Sequence, residues 1–335
     1  MKRKIRVCLV AHNLDDFVDN DLNILRAHFE VRTVANHSSR ANSVVQMVKT
    51  IYWSDVCVIW FAATYAAIAT AISKALRKKS IIIVGGYDIV KMPEIKYGML
   101  TSGKTAIYPR IALNLADRIL PFSEASRRDV LKHFGHASKT ETLYLHVPAE
   151  RYSLGTKKEP IVITIGYVKQ DNLTRKGLGT FVRTAKLLPN TTFYLIGKQT
   201  DNTIEYLRRI ATPNVIFTGF ISFDTMLALM RRAKVYCQLS AHEGFGLSVA
   251  EAMLCGCVPV VTDRGSLPEV SGPDAIVVPY NNPKKTAAAI RKALASDETA
   301  GRRSRDYIIS EFPREKRERR LVELVTQMAH TRSRQ

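Results

Sequence analysis

The chain has 335 residues, 46% hydrophobic and 24% charged. That length fits two domains, and that composition excludes a mostly disordered chain, a collagen-like fibre and a coiled coil. Lys and Arg number 50 against 30 Asp and Glu, a net charge of +20, so an anionic partner is expected: a phosphorylated ligand, an acidic membrane face or nucleic acid.

The start, MKRKIRVCLVAHN, is basic and then apolar, but its apolar run Val7–Ala11 is too short for a signal peptide. Short apolar runs then alternate with helical stretches, the pattern of βαβ units and a parallel sheet. The first half carries six predicted strands, Ile5–Val10, Val31–Val34, Asp55–Trp60, Ile81–Val84, Arg118–Pro121 and Thr142–Leu145. The uncharged run from Val56 to Ser73 has the length of a membrane span. It reads instead as a buried strand, VCVIWF, and an Ala-rich helix ending in the basic turn KALRKK. A linker falls near 147–160, where VPAERYSLGTKKEP combines two prolines, a glycine and mixed charge. Six further strands follow: Ile161–Ile165, Thr192–Ile196, Val215–Phe217, Val235–Leu239, Val258–Val261 and Ala275–Val278. Helices are expected near Pro283–Ser296, Gly301–Ser310 and Arg314–Met328. The fold class is therefore α/β with two doubly wound domains, divided as 1–150, 151–310 and a basic C-terminal helix at 311–335.

The most informative stretch is SAHEGFGLSVAEAMLCGCVPVV, from Ser240 to Val261. A strand ends at Leu239, a glycine-containing loop follows, and a helix opens at about Leu247. Gly244 and Gly246 permit close backbone approach, and the helix start offers N–H groups and a dipole to an anion. Glu243 and Glu251 are carboxylates suited to sugar or ribose hydroxyls. A structural alternative for Glu251 is a capping box with Ser248, closed by Gly256 as the C-cap. Lys176, in Arg175-Lys176-Gly177, lies where its charge opposes a helix dipole, so an anionic neighbour explains it better than solvent does.

Other chemistry is not signalled. His12, His133, His136 and His146 lack metal-ligand spacing, and Cys255-Gly-Cys257 is too tight for the usual zinc pair and reads as core. Cys8, Cys57, Cys237, Cys255 and Cys257 form no CxxC pair and read as reduced thiols of a cytoplasmic protein. Gly85-Gly86 is no dinucleotide fingerprint, and GxSxG is absent.

Glu243-x7-Glu251 within HEGFGLSVAEAM resembles the donor motif of retaining glycosyltransferases of family 4, which have the GT-B fold. IGYVKQDNLTRKGLGTFVRTAKLLPNTTFYLIGK, NVIFTGFIS and RGSLPEVSGPDA extend the resemblance through 161–272. GGYDIV, ADRILPFSEASRRDV and EFPREKRERRLVELV carry it more loosely over the rest of the chain. It implies two Rossmann-like domains, the first for the acceptor and the second for a nucleotide-sugar donor, UDP- or GDP-linked. The C-terminal helix would pack back toward the first domain.

By the same resemblance, Glu251 would bind the ribose and Glu243 the donor sugar. The loop Gly244, Phe245, Gly246 and Leu247, with Ser248, would line sugar and phosphate, and Lys176 would neutralise the diphosphate. No cofactor and no metal ion are implied. The acceptor would be a glycan or a lipid-linked sugar.

Three positions depart from the family pattern. Gly166 is followed by Tyr167 rather than the frequent Arg, leaving Arg175 or Lys169 as a second cation. Gly85 stands where relatives often have His, leaving Asp88 or Tyr87 on the acceptor side. No glycine follows the first strand, at Ala11-His12-Asn13-Leu14. An epimerase or phosphorylase on the same fold would need acid and base residues around the sugar that the scattered histidines do not supply. A nucleic-acid-binding protein should gather its basic residues on one aromatic-bearing face, whereas here they are spread over many helices. The basic run Lys74, Arg77, Lys78 and Lys79, with Arg110, Arg118, Arg127, Arg128 and Lys132, is expected to dock the first domain on an anionic membrane surface.

Overall fold

The computed structural model describes residues 3–35, 40–155 and 157–331. The chain divides into two units, Met1–Leu145 with Arg314–Gln335, and His146–Pro313.

Unit 1 holds five parallel strands: β1 (Arg6–Ala11), β2 (Glu30–Ala35), β3 (Val56–Trp60), β4 (Lys79–Val84) and β5 (Arg118–Pro121), in the order β2-β1-β3-β4-β5. Its connecting helices are α1 (Asp16–His28), α2 (Arg40–Trp53), α3 (Thr64–Ala75), α4 (Gly103–Leu115) and α5 (Glu124–Phe134). Every residue of β3 is buried, as the unbroken apolar run VCVIW requires of a strand covered on both faces. The uncharged run from Val56 is thus a strand followed by the short helix α3. Among the described residues no helix is long and apolar enough to cross a membrane.

Unit 2 holds six parallel strands: β6 (Glu159–Ile165), β7 (Thr192–Ile196), β8 (Val215–Gly219), β9 (Ala233–Gln238), β10 (Val258–Thr262) and β11 (Ile276–Val278), in the order β11-β10-β9-β6-β7-β8. Its helices are α6 (Gln170–Arg175), α7 (Leu178–Ala185), α8 (Thr203–Ile210), α9 (Phe223–Arg232), α10 (Leu247–Leu254), α11 (Leu267–Ser271), α12 (Pro283–Leu294) and α13 (Ala300–Glu311). In such sheets the strand order reverses beside the first strand. The crevice beyond the carboxyl ends of the two strands there is where ligands bind. In unit 2 those strands are β6 and β9.

The last helix, α14 (Arg314–Thr331), belongs to unit 1. Its Arg317 is buried and grips Asp21 of α1 with two bonds, Nε to Oδ1 at 2.6 Å and Nη2 to Oδ2 at 2.7 Å. Its third nitrogen, Nη1, donates to the carbonyls of Leu143 (2.9 Å) and Tyr144 (2.7 Å). This corrects the sixth strand predicted at Thr142–Leu145. The segment does start along β5, with Leu143 N–H on the Pro121 carbonyl at 2.8 Å. Its own carbonyls then serve a guanidinium instead of a neighbouring strand.

Part of the excess positive charge also works inside the fold. Lys139 Nζ donates to the carbonyls of Leu113, Asn114 and Ala116 at 2.7–2.9 Å, closing the end of α4. Lys158 Nζ does the same for Met230 (3.1 Å) in the last turn of α9 and Ala233 (2.9 Å) just after it, and for Cys255 (2.8 Å) after α10. A cation at a helix C-terminus satisfies free carbonyls and complements the dipole. The basic run offered for docking is altered in the same way. Lys78 is buried with its ammonium on the Ser54 carbonyl, and Lys79 pairs with Asp117 at 3.1 Å. All five cysteines are free and buried. Burial pushes the Cys255 thiol up to about 12 and holds Cys237 and Cys257 above their ordinary value, which keeps these sulfurs protonated and unreactive.

Candidate active site

β6 and β9 run side by side, and the loops leaving their carboxyl ends meet. The connection after β6 carries Arg175 as the last residue of α6 and Lys176 just beyond it, and the loop after β9 carries Glu243. The Ala241 N–H donates to the Arg175 carbonyl at 2.8 Å and ties the two loops together. Gly177 makes the approach possible. Its φ is +67°, and a Cβ there would lie 2.1 Å from the Leu239 carbonyl oxygen.

At the meeting point Lys176 Nζ donates to Glu243 Oε1 at 2.6 Å, with the two side chains only 17% and 12% exposed. The same oxygen accepts from Ser240 Oγ at 2.7 Å and Gln238 Nε2 at 3.0 Å. Gln238 is itself oriented, because Tyr236 donates its hydroxyl proton to Gln238 Oε1 at 2.9 Å. Burial alone would raise the Glu243 pKa. The Lys176 and Arg175 charges and the bonds from Lys176 and Ser240 outweigh it and keep the carboxyl below its ordinary value. Tyr236, Gln238 and Ser240 were not singled out from sequence. Their signal is a period of two: polar groups at alternate positions along and just past the strand, between apolar ones.

The loop after Glu243 leads into α10. Phe245 is buried with its ring edge-on to Phe312, 5.2 Å between centroids, so the side chain anchors the loop in the core. Gly246, at φ +96°, is the residue from which α10 starts, with Leu247 and Ser248 as the first two helical residues. This overturns the capping box. Ser248 already lies inside the helix, no side chain caps it, and its hydroxyl bonds to Tyr236. Glu251 instead accepts from the Tyr152 hydroxyl, whose pKa is raised by burial and then by the Glu251 charge. Tyr152 falls in the stretch read as a linker. It is buried, with its ring edge-on to Phe223 at 6.0 Å. A large aromatic in a supposed linker was the available sign of packing.

Of the candidate second cations, Arg175 is the one whose charge acts on Glu243, while its guanidinium donates to Asn172 Oδ1 at 2.7 and 3.1 Å. Lys169 lies 3.5 Å from the exposed Asp171 carboxylate. Asp88, in unit 1, is 3% exposed. Its oxygens accept from the backbone N–H groups of Ala62 and Gly86, both at 3.0 Å, and burial pushes its carboxyl up. Those bonds fix the turn after β4, where Tyr87 is exposed. Among the described residues no group of three or more His, Cys, Asp or Glu could hold a metal ion.

Residues 159–296 match the family model described as Glycosyl transferases group 1. The serotype-specific mannosyltransferase WbdA of Escherichia coli is 28% identical over 178 residues, which is 50% of this chain and 20% of that protein. The GDP-mannose-dependent alpha-(1-6)-phosphatidylinositol dimannoside mannosyltransferase of Mycobacterium tuberculosis is 36% identical over 99 residues, 29% of this chain and 26% of that one. These matches thus span about a fifth to a quarter of the curated relatives' length. Among solved structures, Anabaena Alr3699/HepE with UDP and glucose superposes with a TM-score of 0.76 at 16% identity, covering 96% of this chain and all of that one. The sucrose-phosphate synthase of Thermosynechococcus elongatus gives 0.79 at 16% identity, covering 98% of this chain and all of that one. Residues 159–296 are therefore a glycosyl transferases group 1 domain, carried by a chain with the GT-B fold of glycosyltransferases.

Proposed function

We propose that this chain transfers a hexosyl group from a nucleotide diphosphate to an acceptor hydroxyl on a glycan or a lipid-linked sugar, with retention of configuration. The observation that carries the reading is the convergence of Lys176, Glu243 and the start of α10 beyond the ends of β6 and β9. Lys176 and the first N–H groups of α10 take the diphosphate, where negative charge grows as the sugar leaves. Glu243 takes donor-sugar hydroxyls, and Glu251 the ribose. Ser248 supports the site through Tyr236, and the loop Gly244–Leu247 offers its backbone. Arg175 reinforces the positive field. Asp88 shapes the acceptor-side turn from within. The departing phosphate oxygen accepts the acceptor's proton, so positioning and charge neutralisation are the protein's main tasks.

WbdA and the mycobacterial relative are mannosyltransferases, and Alr3699/HepE was solved with UDP. GDP-mannose and UDP-glucose are therefore the first donors to try. One of them is expected to raise the melting temperature of the full chain, because a ligand bound only by the native state stabilises it. That donor should then be slowly hydrolysed to a free sugar of unchanged anomeric configuration. No stabilisation by any nucleotide sugar in a full panel contradicts the assignment.

The setting we propose is the cytoplasmic face of a membrane. Free, buried cysteines suit a reducing compartment. With Lys78 and Lys79 engaged elsewhere, the docking face is the outer side of α2, α3 and α4. Val44, Val45, Val48, Tyr52, Ile68, Ile107 and Ile111 are exposed there, among the exposed cations Lys49, Lys74, Lys104 and Arg110. Each such cation near an anionic leaflet adds about 1 kcal/mol, weakened by salt. Co-sedimentation should be strong with anionic vesicles, weak with neutral ones, and reduced by Val45→Glu. Equal binding to both vesicle types at low salt removes the membrane from the account.

A further inference from the structure

The diphosphate-facing cation of this site is already occupied by a carboxylate. Lys176 Nζ lies 2.6 Å from Glu243 Oε1, in a place where both side chains are largely withdrawn from water. Ser240 and Gln238 hold that same oxygen, and Tyr236 holds Gln238. None of these donors is on Oε2. A phosphate reaching for Lys176 must therefore draw the ammonium away from Glu243 or share it. In a poorly hydrated site that leaves the carboxylate under-compensated, at a cost that water would not impose. Hydroxyl groups presented to Glu243 by the same ligand would make good the loss.

Resting on the donor-site reading above, we infer that the Lys176–Glu243 pair is a specificity-determining latch. It penalises a nucleoside diphosphate that lacks its sugar and admits the intact nucleotide sugar, because only the latter supplies both a partner for Lys176 and hydroxyl donors for Glu243. Gln238 and Ser240 are positioning residues for the latch: they fix Oε1 toward Lys176 and leave Oε2 to the sugar. The same preference speeds product release, since loss of the sugar restores the competition for Lys176.

The test is calorimetric titration of the full chain with GDP, UDP, GDP-mannose and UDP-glucose. In Glu243→Gln the amide oxygen still accepts from Ser240 and Gln238, but Lys176 is released. The variant should bind the free diphosphate about tenfold more tightly than the wild type, a change of about 1.4 kcal/mol. The preference for nucleotide sugar over nucleoside diphosphate should fall toward unity. Glu243→Asp withdraws the carboxylate by one methylene and should shift both quantities the same way by less, which keeps the test open if the glutamine variant folds poorly. Free diphosphate bound equally or more weakly by both variants overturns the latch while leaving the donor site intact. A wild type that binds none of the four probes, nor any other nucleotide sugar, overturns the donor site itself and the latch with it.

Discussion

Arg317→Met is expected to destabilise unit 1 by about 3–5 kcal/mol, the usual cost of removing one partner from a buried ion pair. Asp21 is fully buried and would lose its counter-ion and both bonds from it, and the Leu143 and Tyr144 carbonyls would lose this donor. Arg317→Lys should recover only part of the loss, because a single ammonium cannot reproduce the two-pronged grip on Asp21 while reaching two carbonyls. Urea unfolding followed by hydrogen exchange in α1 and β5 reads the effect where it arises. An unchanged unit 1 transition in both variants shows that α14 is not fastened through this residue.

Lys176→Met is expected to lower kcat/KM by about 10²–10³, comparable to removing a preorganised donor from a developing oxyanion. The fold should lose some stability as Glu243 gives up its counter-ion, but less than in Arg317→Met, since Glu243 keeps its bonds to Ser240 and Gln238 and the Arg175 charge remains near. Turnover should fall more than donor binding, because in the proposed reaction the charge matters most as the diphosphate leaves. The assay uses whichever nucleotide sugar stabilises the wild type. Full activity in the variant would take Lys176 out of the reaction and shift the diphosphate to Arg175.

Where backbone pattern and packing agree, the sequence was easy to read. The strands of unit 2 are short apolar runs at βα spacing, and all six are present, with ends displaced by a residue or two. The reading failed where a side chain from far along the chain settles the local structure. Thr142–Leu145 has the residues of a strand, but its carbonyls face Arg317, some 170 residues later. Ser248 and Glu251 have capping-box spacing, yet Gly246 starts the helix, so the serine lies two positions past the cap and the glutamate turns to Tyr152. Lys78 belongs to a basic run, but a backbone carbonyl takes it inside. In the candidate site, Glu243, Lys176 and the glycine loop were legible because their chemistry is local to one motif each. Gln238 and Ser240 were not, because a polar residue at a strand end gains meaning only from what the neighbouring loop brings to it.

The most direct test of the donor site is the affinity of Glu251→Gln for the nucleoside diphosphate of the stabilising donor. Glutamine keeps an acceptor for the Tyr152 hydroxyl, so melting temperature should stay near the wild-type value. The charged acceptor that we propose for the ribose hydroxyls is lost, and hydrogen bonds to charged groups contribute about 1.5–3 kcal/mol, so affinity should fall about tenfold or more. Weaker binding at unchanged stability is the result expected here. Unchanged affinity, whatever happens to stability, would make Glu251 a structural partner of Tyr152 and contradict the placement of the nucleotide beside α10.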